Sequence, residues 1–503
     1  MASAHAGVPA PGLTTPAGLP VGVVHLAAEY WPYARTGGLA DAVRSLANWQ
    51  AAHGLRVTVL VPLHRSVREQ LPGLGPGAVP FDVQVGARVE RVSLVPHPGN
   101  ASGPRLFFID HPASFDRPGI YGEGADYPDN PRRFAVYCRA ALAALPHLAP
   151  GSGIVHAHDW HTALAPVYLR TVLREDPYYR GLATVLSVHN AGYQGHFDRA
   201  TLAEVGLPAW LWDFRWMEWY GKLNILKGGL TSADAVTTVS PTHAHELRTP
   251  DGGFGLHDAF IHLKDRLVGI TNGIDFDAWN PATDPDTAAH YSRENPAAKS
   301  ACKAFLQRRW GLDPEPGRPL FGMTARLVSQ KGLDIILESR LPFVTEAQYL
   351  FLGAGDPAYE GALAAFASAL PGRVAAEFHF TDSREHELMA GADLFLMPSL
   401  YEPCGLTQMR AQRYGAIPVA RRVGGLADTI EDGVTGFLFD AYSAEALLVA
   451  TQRAVDHYAD RPAWTRMMHE AMGRDFSWER SGFRYLDLYR RALLTHAAGL
   501  KEG

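Results

Sequence analysis

Short apolar runs alternate with segments of helical periodicity along most of the chain. The run VGVVHLAAEY, which starts at Val21, is followed by the turn-rich RTGGLAD, by helical spacing in ADAVRSLANWQAAHG and by the β-branched run LRVTVLVP. The order strand, loop, helix, strand is typical of a parallel sheet that is buried on both faces. The pattern therefore predicts an α/β protein.

The alternation occurs in two blocks. The first block contains the strand-like runs GIVHAHDW, LATVLSVHNAG, ADAVTTVS and RLVGITNGID, and the second contains RPLFGMTARL, AQYLFLGAGD, RVAAEFHFTD and ADLFLMPS. Polar residues gather where these runs end, and ligands of such sheets bind in that crevice. We therefore predict two Rossmann-like, doubly wound domains that face each other across a deep cleft. The predicted parts are a flexible tail (1–20), an N-terminal domain (21–280), a C-terminal domain (281–480) and a final helix (481–503) that packs back on the N-terminal domain.

Composition narrows the class of protein. The 503 residues carry a formal charge of −6, which argues against a nucleic-acid-binding protein. No apolar run is as long as the roughly 20 residues that a membrane span needs. The three cysteines are scattered, which indicates a reducing compartment. We expect a cytoplasmic protein that binds neither nucleic acid nor membrane, and its oligomeric state stays open.

The loop RTGGLAD is the first candidate binding element. Gly37 and Gly38 allow backbone amides to approach a phosphate at the start of a helix, and Arg35 adds a cation beside them. Asp41 lies within the same loop and is a candidate contact for a sugar or an acceptor. The string GGLAD recurs at 424–428, which suggests equivalent strand-to-helix junctions in the two halves.

The cluster HAHDWH at 156–161 supports two hypotheses. Histidines and a carboxylate at this spacing could ligate zinc, although Asp159 precedes the tryptophan and the order departs from the metallohydrolase pattern. Alternatively, the cluster is a polar strand end that lines a sugar or diphosphate cleft. His189 and Asn190 end the next strand and would reach the same sheet edge, where His189 could support a cationic sugar carbon.

The second half offers two further candidate loops. Arg326 ends an apolar strand and Lys331 follows at a helix start, a pairing that suits a diphosphate without a metal. Glu402 lies in the loop after ADLFLMPS and can accept hydrogen bonds from sugar hydroxyls. In the same loop, Cys404 suggests packing or substrate contact rather than a nucleophile.

Taken together, the motifs resemble the bacterial glycogen synthase and plant starch synthase family (glycosyltransferase family 5). The resemblance covers roughly residues 21–490 and rests on motifs in matching order: RTGGLAD, HAHDWHTAL, SVHNAGYQG, TVSPTHA, ITNGID, WNPATD, ARLVSQKG, YEPCGLTQ, GGLADTI, VTGF and FSWE. It implies the two-Rossmann-domain GT-B fold. It also implies retaining transfer of glucose from ADP-glucose to the non-reducing end of an α-1,4-glucan, with no metal or cofactor.

The resemblance also implies roles for individual residues. The diphosphate-binding pair corresponds to Arg326 and Lys331, the carboxylate on the glucose hydroxyls to Glu402, and the groups near the anomeric carbon to His189 and Asp159. Sugar and cleft contacts of the family correspond to Asn190 and Asn272, and its glycine loop near the distal phosphate corresponds to Gly37 and Gly38. The loop that meets glucose and phosphate corresponds to Cys404, Gly405, Leu406 and Thr407.

Two positions depart from the family pattern. Arg35 stands where the family usually has lysine, and the two cations differ in reach and geometry. Phe380 aligns best with the tyrosine used against adenine, so stacking would be kept while a phenol hydrogen bond would be lost.

Three alternatives stay open: a related GT-B enzyme using UDP-glucose or another acceptor, a metallohydrolase based on HAHDWH, and a catalytically silent glucan-binding protein.

Overall fold

The computed structural model describes residues 13–14, 21–75, 77–99 and 103–502. The chain forms two compact units: unit 1 comprises Met1–Val239, Ala244–Ile270 and Trp478–Gly503, and unit 2 comprises Ser240–His243 and Thr271–Ser477. The predicted tail lies outside the described residues except for Leu13 and Thr14. Leu13 is buried, and its carbonyl accepts a hydrogen bond from the Val21 amide at 2.8 Å.

Unit 1 contains a nine-stranded sheet. Its strands, numbered along the chain, are β1 (Gly22–Leu26), β2 (Arg56–Pro62), β3 (Val79–Val85), β4 (Arg88–Pro96), β5 (Arg105–Asp110), β6 (Ser152–His158), β7 (Ala183–Val188), β8 (Ala235–Thr238) and β9 (Leu267–Gly269). Their order across the sheet is β9-β8-β7-β6-β1-β2-β5-β4-β3. All pairs are parallel except the edge hairpin β3–β4 and its pairing with β5. The connection order reverses between β6 and β1, which makes their carboxyl ends the topological switch point.

Unit 2 contains a six-stranded parallel sheet. Its strands are β10 (Leu320–Thr324), β11 (Gln348–Leu352), β12 (Val374–Glu377), β13 (Leu394–Met397), β14 (Ile417–Arg421) and β15 (Phe437–Phe439). Their order is β12-β11-β10-β13-β14-β15, so the switch point lies between β10 and β13. Every residue of β10, β11 and β13 is buried, as expected for central strands covered on both faces.

Helices cover these sheets and supply the connections between parallel strands. In chain order they are α1 (Gly38–Ala52), α2 (Arg65–Gln70), α3 (Pro112–Phe115), α4 (Asn130–Leu148), α5 (Leu164–Arg170), α6 (Thr201–Glu204), α7 (Ile225–Ser232), α8 (Pro241–Glu246), α9 (His257–His262), α10 (Lys299–Arg309), α11 (Leu333–Ser339), α12 (Leu341–Val344), α13 (Pro357–Ala369), α14 (Asp382–Gly391), α15 (Thr407–Arg413), α16 (Gly424–Thr429), α17 (Ala444–Ala459), α18 (Arg461–Met472) and α19 (Trp478–Glu502). Among the described residues, no helix is long and apolar enough to cross a membrane.

The final helix α19 belongs to unit 1. Tyr485, Leu486 and Tyr489 of this helix lie in one hydrophobic cluster with Val23 of β1 and Trp49 of α1. The helix therefore completes the covering of the sheet on the side of α1. The sequence predicts divisions at 280/281 and 480/481, whereas the two compact units divide at Ile270/Thr271 and Ser477/Trp478.

The two GGLAD strings occupy different places in their sheets. The first lies at the start of α1, the helix that follows β1 along the chain, and β1 borders the switch point of unit 1. The second begins α16 after β14, which is one strand removed from the switch point of unit 2. The suggestion of equivalent junctions was therefore wrong, because a short string fixes a local turn and not the position of its strand in a sheet. The prediction of two doubly wound α/β domains is confirmed.

Candidate active site

Asp159 lies directly after β6, at the switch point of unit 1. Its backbone has a φ of 58°, in the left-handed region that residues with a side chain rarely adopt. The turn directs the carboxylate across to the end of β7, where Oδ1 accepts hydrogen bonds from the amides of His189 at 2.6 Å and Asn190 at 3.4 Å. Asp159 therefore fixes the backbone of the loop that the sequence predicted beside the sugar.

The surroundings of Asp159 oppose its ionisation. Burial raises the pKa of its carboxyl to about 7, although the two amides that donate to Oδ1 act in the opposite direction. The nearby carboxylate of Glu29 raises the pKa further. A positive charge that develops beside such a carboxyl group lowers its pKa and so favours its ionised form.

The His189 ring belongs to a buried group of histidines. Its Nε2 lies 3.0 Å from Nδ1 of His158, and Nε2 of His158 lies 3.0 Å from Nδ1 of His25. Burial lowers the pKa of His189 to about 3, so its ring is neutral near pH 7. A neutral imidazole here can form a hydrogen bond with a sugar hydroxyl but carries no charge that would oppose a cationic carbon.

The zinc hypothesis does not fit this geometry. Of the cluster HAHDWH, only His156 and His158 approach each other within ligating distance, together with His25. Both ring nitrogens of each of these three histidines already have hydrogen-bond partners in the protein. A metal ion would have to displace these bonds, and among the described residues neither Asp159 nor His161 joins the group.

Asn190 follows His189 and shapes the loop locally. Its Oδ1 accepts a hydrogen bond from the Gly192 amide at 2.9 Å. The side-chain amide nitrogen remains as the donor with which Asn190 could bind a sugar hydroxyl.

The RTGGLAD loop is held by a carboxylate outside it that the sequence did not indicate. The buried carboxylate of Glu29 accepts hydrogen bonds from the amides of Thr36 at 2.7 Å and Gly37 at 3.3 Å. Its other oxygen accepts from the hydroxyls of Thr36 and Tyr121, each at 2.6 Å. The Gly37 amide is thus engaged by the protein, and Gly38, the first residue of α1, offers the remaining glycine amide.

Arg35 in this loop lies close to Asp41 in the first turn of α1. The guanidinium Nε of Arg35 is 3.5 Å from Oδ2 of Asp41, and both side chains are partly exposed. The pair places a cation beside the start of α1, as the sequence predicted. The carboxylate of Asp41 offsets part of the positive charge of Arg35.

In unit 2, Arg326 and Lys331 follow β10 at the switch point. Arg326 is exposed, and within the described part of the chain its guanidinium forms no hydrogen bond or ion pair. Lys331 is different, because its Nζ forms an ion pair with Oε2 of Glu402 at 2.6 Å. Lysine has three donors, so this pairing leaves two for a phosphate.

Glu402 lies in the loop after β13, on the other side of the same switch point. It is 6% exposed, and Oε2 also accepts a hydrogen bond from the Ser399 hydroxyl at 3.0 Å. Both of these contacts use Oε2, which leaves Oε1 to accept from a sugar hydroxyl. Ser399 was missed in the sequence because a lone serine after an apolar strand has no distinctive pattern.

The Glu402 loop rests on the second glycine pair. A side chain at Gly424 would place its Cβ 1.9 Å from the Glu402 carbonyl oxygen, and the φ of Gly424 is 44°. A Cβ at Gly425 would lie 2.0 Å from the carbonyl oxygen of Cys404. In addition, the Gly425 amide donates to the Glu402 carbonyl at 3.1 Å. The second GGLAD string therefore acts as backbone support for the predicted sugar-binding loop.

Cys404 is buried within this loop and is not poised as a nucleophile. Burial raises the pKa of its thiol to about 12. The Asn272 amide donates to the sulfur, which brings Asn272 beside the same loop. Asn272 is itself buried, and its Oδ1 has no hydrogen-bond partner among the described residues.

The following residues turn the chain into α15. Gly405 has a φ of 68°, Leu406 precedes the helix, and Thr407 is its first residue. The side chain of Gln408 donates to the carbonyls of Cys404 and Gly405 and so holds this turn.

Phe380 lies in the loop between β12 and α14. The residue is 38% exposed, whereas phenylalanine is most often buried. The next residue, Thr381, caps α14 by accepting a hydrogen bond from the Arg384 amide at 3.3 Å. The cap fixes the start of the helix beside this partly exposed side chain.

Comparison with known proteins supports the resemblance seen in the sequence. Residues 22–262 match the family model "Starch synthase catalytic domain", and residues 307–466 match "Glycosyl transferases group 1". The glycogen synthase of Anaeromyxobacter dehalogenans is 45% identical over 480 residues, which are 93% of this chain and 99% of that protein. Glycogen synthase 2 of Geobacter sulfurreducens is 40% identical over 480 residues, with 93% and 98% coverage.

Solved structures agree with this result. The catalytic domain of starch synthase IV from Arabidopsis thaliana, bound to ADP and acarbose, has a TM-score of 0.85 and 32% identity, covering 94% of this chain and 99% of that one. A sucrose-phosphate synthase from Thermosynechococcus elongatus shares the fold, with a TM-score of 0.59 and 18% identity. The chain belongs to the glycogen and starch synthase family of GT-B glycosyltransferases.

Proposed function

We propose that the protein is a glycogen synthase that transfers glucose from ADP-glucose to the non-reducing end of an α-1,4-glucan, with retention of configuration. The observation that carries the proposal is the grouping of Arg326, Lys331 and Glu402 at one switch point. Two cations suit a diphosphate, and a buried carboxylate beside them suits sugar hydroxyls. Family membership and the relatives named glycogen synthase support the same reaction.

In this proposal the diphosphate leaves and the acceptor 4-hydroxyl attacks the same face of the glucose. Arg326 and Lys331 offset the charge that develops on the leaving diphosphate. A departing phosphate oxygen takes the proton of the attacking hydroxyl, so no separate protein nucleophile is needed. The proposal includes no metal or cofactor.

The residues of unit 1 would act on the sugar. The His189 ring and carbonyl would support the oxocarbenium-like carbon, and Asn190 would contact a hydroxyl. Asp159 would hold the His189 backbone and become a better anion as positive charge develops. Arg35, Gly38 and Asp41 would lie near the distal phosphate and the acceptor, and Gly37 would shape that loop.

The choice of ADP-glucose rests on the resemblance and on Phe380. An exposed phenylalanine ring can stack on adenine, and it stacks on uracil over a smaller area. The starch synthase structure that contains ADP supports an adenine nucleotide. We also propose a cytoplasmic location, supported by three cysteines that are unpaired and buried.

The experiment compares ADP-glucose and UDP-glucose as donors, with glycogen as acceptor, by nucleotide release after exhaustive chelation. We expect glycogen-dependent release of ADP to exceed release of UDP. A preference for UDP-glucose would support the alternative GT-B enzyme. Activity that is lost on chelation and restored only by a divalent ion would contradict the metal-free mechanism, and binding of glycogen without nucleotide release would indicate a silent binding protein.

A further inference from the structure

A continuous chain of hydrogen bonds connects His189 to the C-terminal helix. From His189 it passes to His158 and His25 through two contacts of 3.0 Å. Nε2 of His25 then lies 2.8 Å from Oε1 of Gln50, and Nε2 of Gln50 donates to the Tyr489 hydroxyl at 2.7 Å. The chain connects the residue that follows β7 with β6, β1, α1 and α19, so four elements and one loop of unit 1 contribute to it.

Every interior member of the chain is isolated from solvent. His25, Gln50 and Tyr489 are 0% exposed and His158 is 1% exposed. Burial lowers the pKa of His25 to about 4 and moves the pKa of His158 well below its usual range. The rings are therefore neutral near pH 7, and each has one nitrogen that donates and one that accepts.

Neutral rings in a chain have linked tautomers. The amide oxygen of Gln50 can only accept, so Nε2 of His25 carries the proton and Nδ1 accepts. Nε2 of His158 must then donate to His25, and Nδ1 of His158 must accept from Nε2 of His189. The last ring is left with an unprotonated Nδ1, which can accept a hydrogen bond from a hydroxyl group.

The hydrogen bonds on the far side of Gln50 are compatible with this orientation of its amide. Tyr489 accepts from Gln50, and its own hydroxyl lies 2.9 Å from Nδ1 of His156. Nε2 of His156 lies 2.7 Å from the Ser187 hydroxyl. With the Gln50 oxygen facing His25 and its nitrogen facing Tyr489, every group on both branches has a partner, and the opposite orientation would require every hydrogen bond of both branches to reverse.

We propose that Gln50 is a positioning residue that sets, through His25 and His158, which ring nitrogen of His189 carries the proton. The inference rests on the proposed function in one respect, because the role of His189 toward a sugar hydroxyl belongs to that proposal. Gln50 suits this task because, unlike a histidine, it cannot exchange its donor and acceptor by moving a proton. Reversal of the chain therefore requires rotation of a buried amide.

The charged groups around the chain do not compete for this control. The electrostatic contacts that affect the pKa values of His156 and His158 come from the other histidines of the group. Two titratable side chains that lie close to these histidines are Tyr485, whose ring centroid is 5.9 Å from that of His156, and Asp159, which contacts the backbone amide of His189.

The direct test is ¹⁵N NMR of histidine-labelled protein, with His189 assigned by comparison with His189→Asn. In the wild type we expect Nε2 of His189 to have the shift of a protonated nitrogen and Nδ1 that of an unprotonated one. In Gln50→Met the acceptor is gone, and we expect the two shifts to move toward each other as both tautomers become populated. A proton on Nδ1 in the wild type, or unchanged shifts in Gln50→Met, would overturn the proposal.

Steady-state kinetics provide a second test, in which a further variant at position 50 should restore activity. Gln50→Met should lower kcat roughly 3- to 10-fold with little change in KM, because one hydrogen bond to the reacting sugar is lost in part. Gln50→Glu at pH 9 offers an acceptor to His25 again and should restore the wild-type tautomer and most of kcat. Rescue is not expected from packing alone, since burial of a carboxylate is unfavourable. Failure of Gln50→Glu to restore the tautomer at pH 9 would count against the proposal.

The control is Tyr137→Phe, another buried hydroxyl of unit 1. Tyr137 donates to the Leu60 carbonyl at 2.6 Å and lies outside the chain. Its loss should lower stability without changing the His189 tautomer; a tautomer change of the same size as in Gln50→Met would contradict a specific role of Gln50. If the wild type transfers no glucose, the proposed function fails, while the NMR measurement still decides the tautomer.

Discussion

Asp159 makes the protein's stability depend on pH in a direction opposite to that of most carboxylates. Its pKa is raised by burial to about 7, against 3.8 for an ordinary aspartate. The folded state therefore binds a proton more tightly than the unfolded state. The contribution to stability is fully present below pH 4 and is lost as the pH rises toward 7. A pKa difference of about three corresponds to at most about 4 kcal/mol.

Asp159→Asn keeps the shape of the side chain and its oxygen acceptor but removes the titration. We expect its free energy of unfolding, relative to the wild type, to rise steadily between pH 4 and pH 8, by up to about 4 kcal/mol. Urea denaturation of both proteins at each pH measures this difference. A difference that stays constant, or that falls with pH, would refute the argument that burial outweighs the amide hydrogen bonds.

The matched control is Asp129→Asn, also in unit 1. The hydrogen bond from Arg117 lowers the pKa of Asp129, so this carboxylate is already ionised above pH 4. Its stability difference should therefore be flat over the same range and change only below pH 4. A slope like that of Asp159→Asn would show that the pH dependence has another source.

Three further predictions concern unit 2. Lys331→Met should destabilise the protein by about 3 kcal/mol in urea denaturation, because it leaves the Glu402 carboxylate buried without its ion pair. The double variant Lys331→Met with Glu402→Gln should regain part of this loss. Equal stability of the single and the double variant would contradict the pairing. Phe380→Ala should raise KM for ADP-glucose about tenfold while Phe380→Tyr stays near wild type, and an unchanged KM in Phe380→Ala would exclude stacking. Gly424→Ala should lower stability by about 2 kcal/mol in thermal unfolding and abolish transfer, because the alanine Cβ would clash with the Glu402 carbonyl. A melting temperature equal to that of the wild type would show that the loop can shift to avoid the clash.

The fold followed from the sequence because buried parallel strands are apolar along their whole length. The runs that form β1, β6, β7, β10 and β13 stand out for this reason, and the polar residues after them mark the switch points. The edge hairpin β3–β4 was missed because its strands alternate buried and exposed positions and contain charged residues.

Candidate residues could be selected from the sequence where a motif follows a strand, whereas their partners from elsewhere in the chain could not. Lys331 and Glu402 were both selected from their loops, but nothing in either loop indicates that they form an ion pair. Glu29 was missed because the sequence does not show that its side chain folds back onto the amides of RTGGLAD. Gln50 and Tyr489 were missed because each is one buried polar residue on an otherwise ordinary amphipathic helix.

The most direct test of the central claim is the stoichiometry of transfer by the wild-type protein in the presence of a chelator. Labelled ADP-glucose and glycogen are supplied, and both the ADP released and the glucose incorporated in α-1,4 linkage are measured. We expect one glucose to be incorporated for each ADP released, with no metal added. Release of ADP with free glucose and no growth of the glucan, or no release at all, would contradict it.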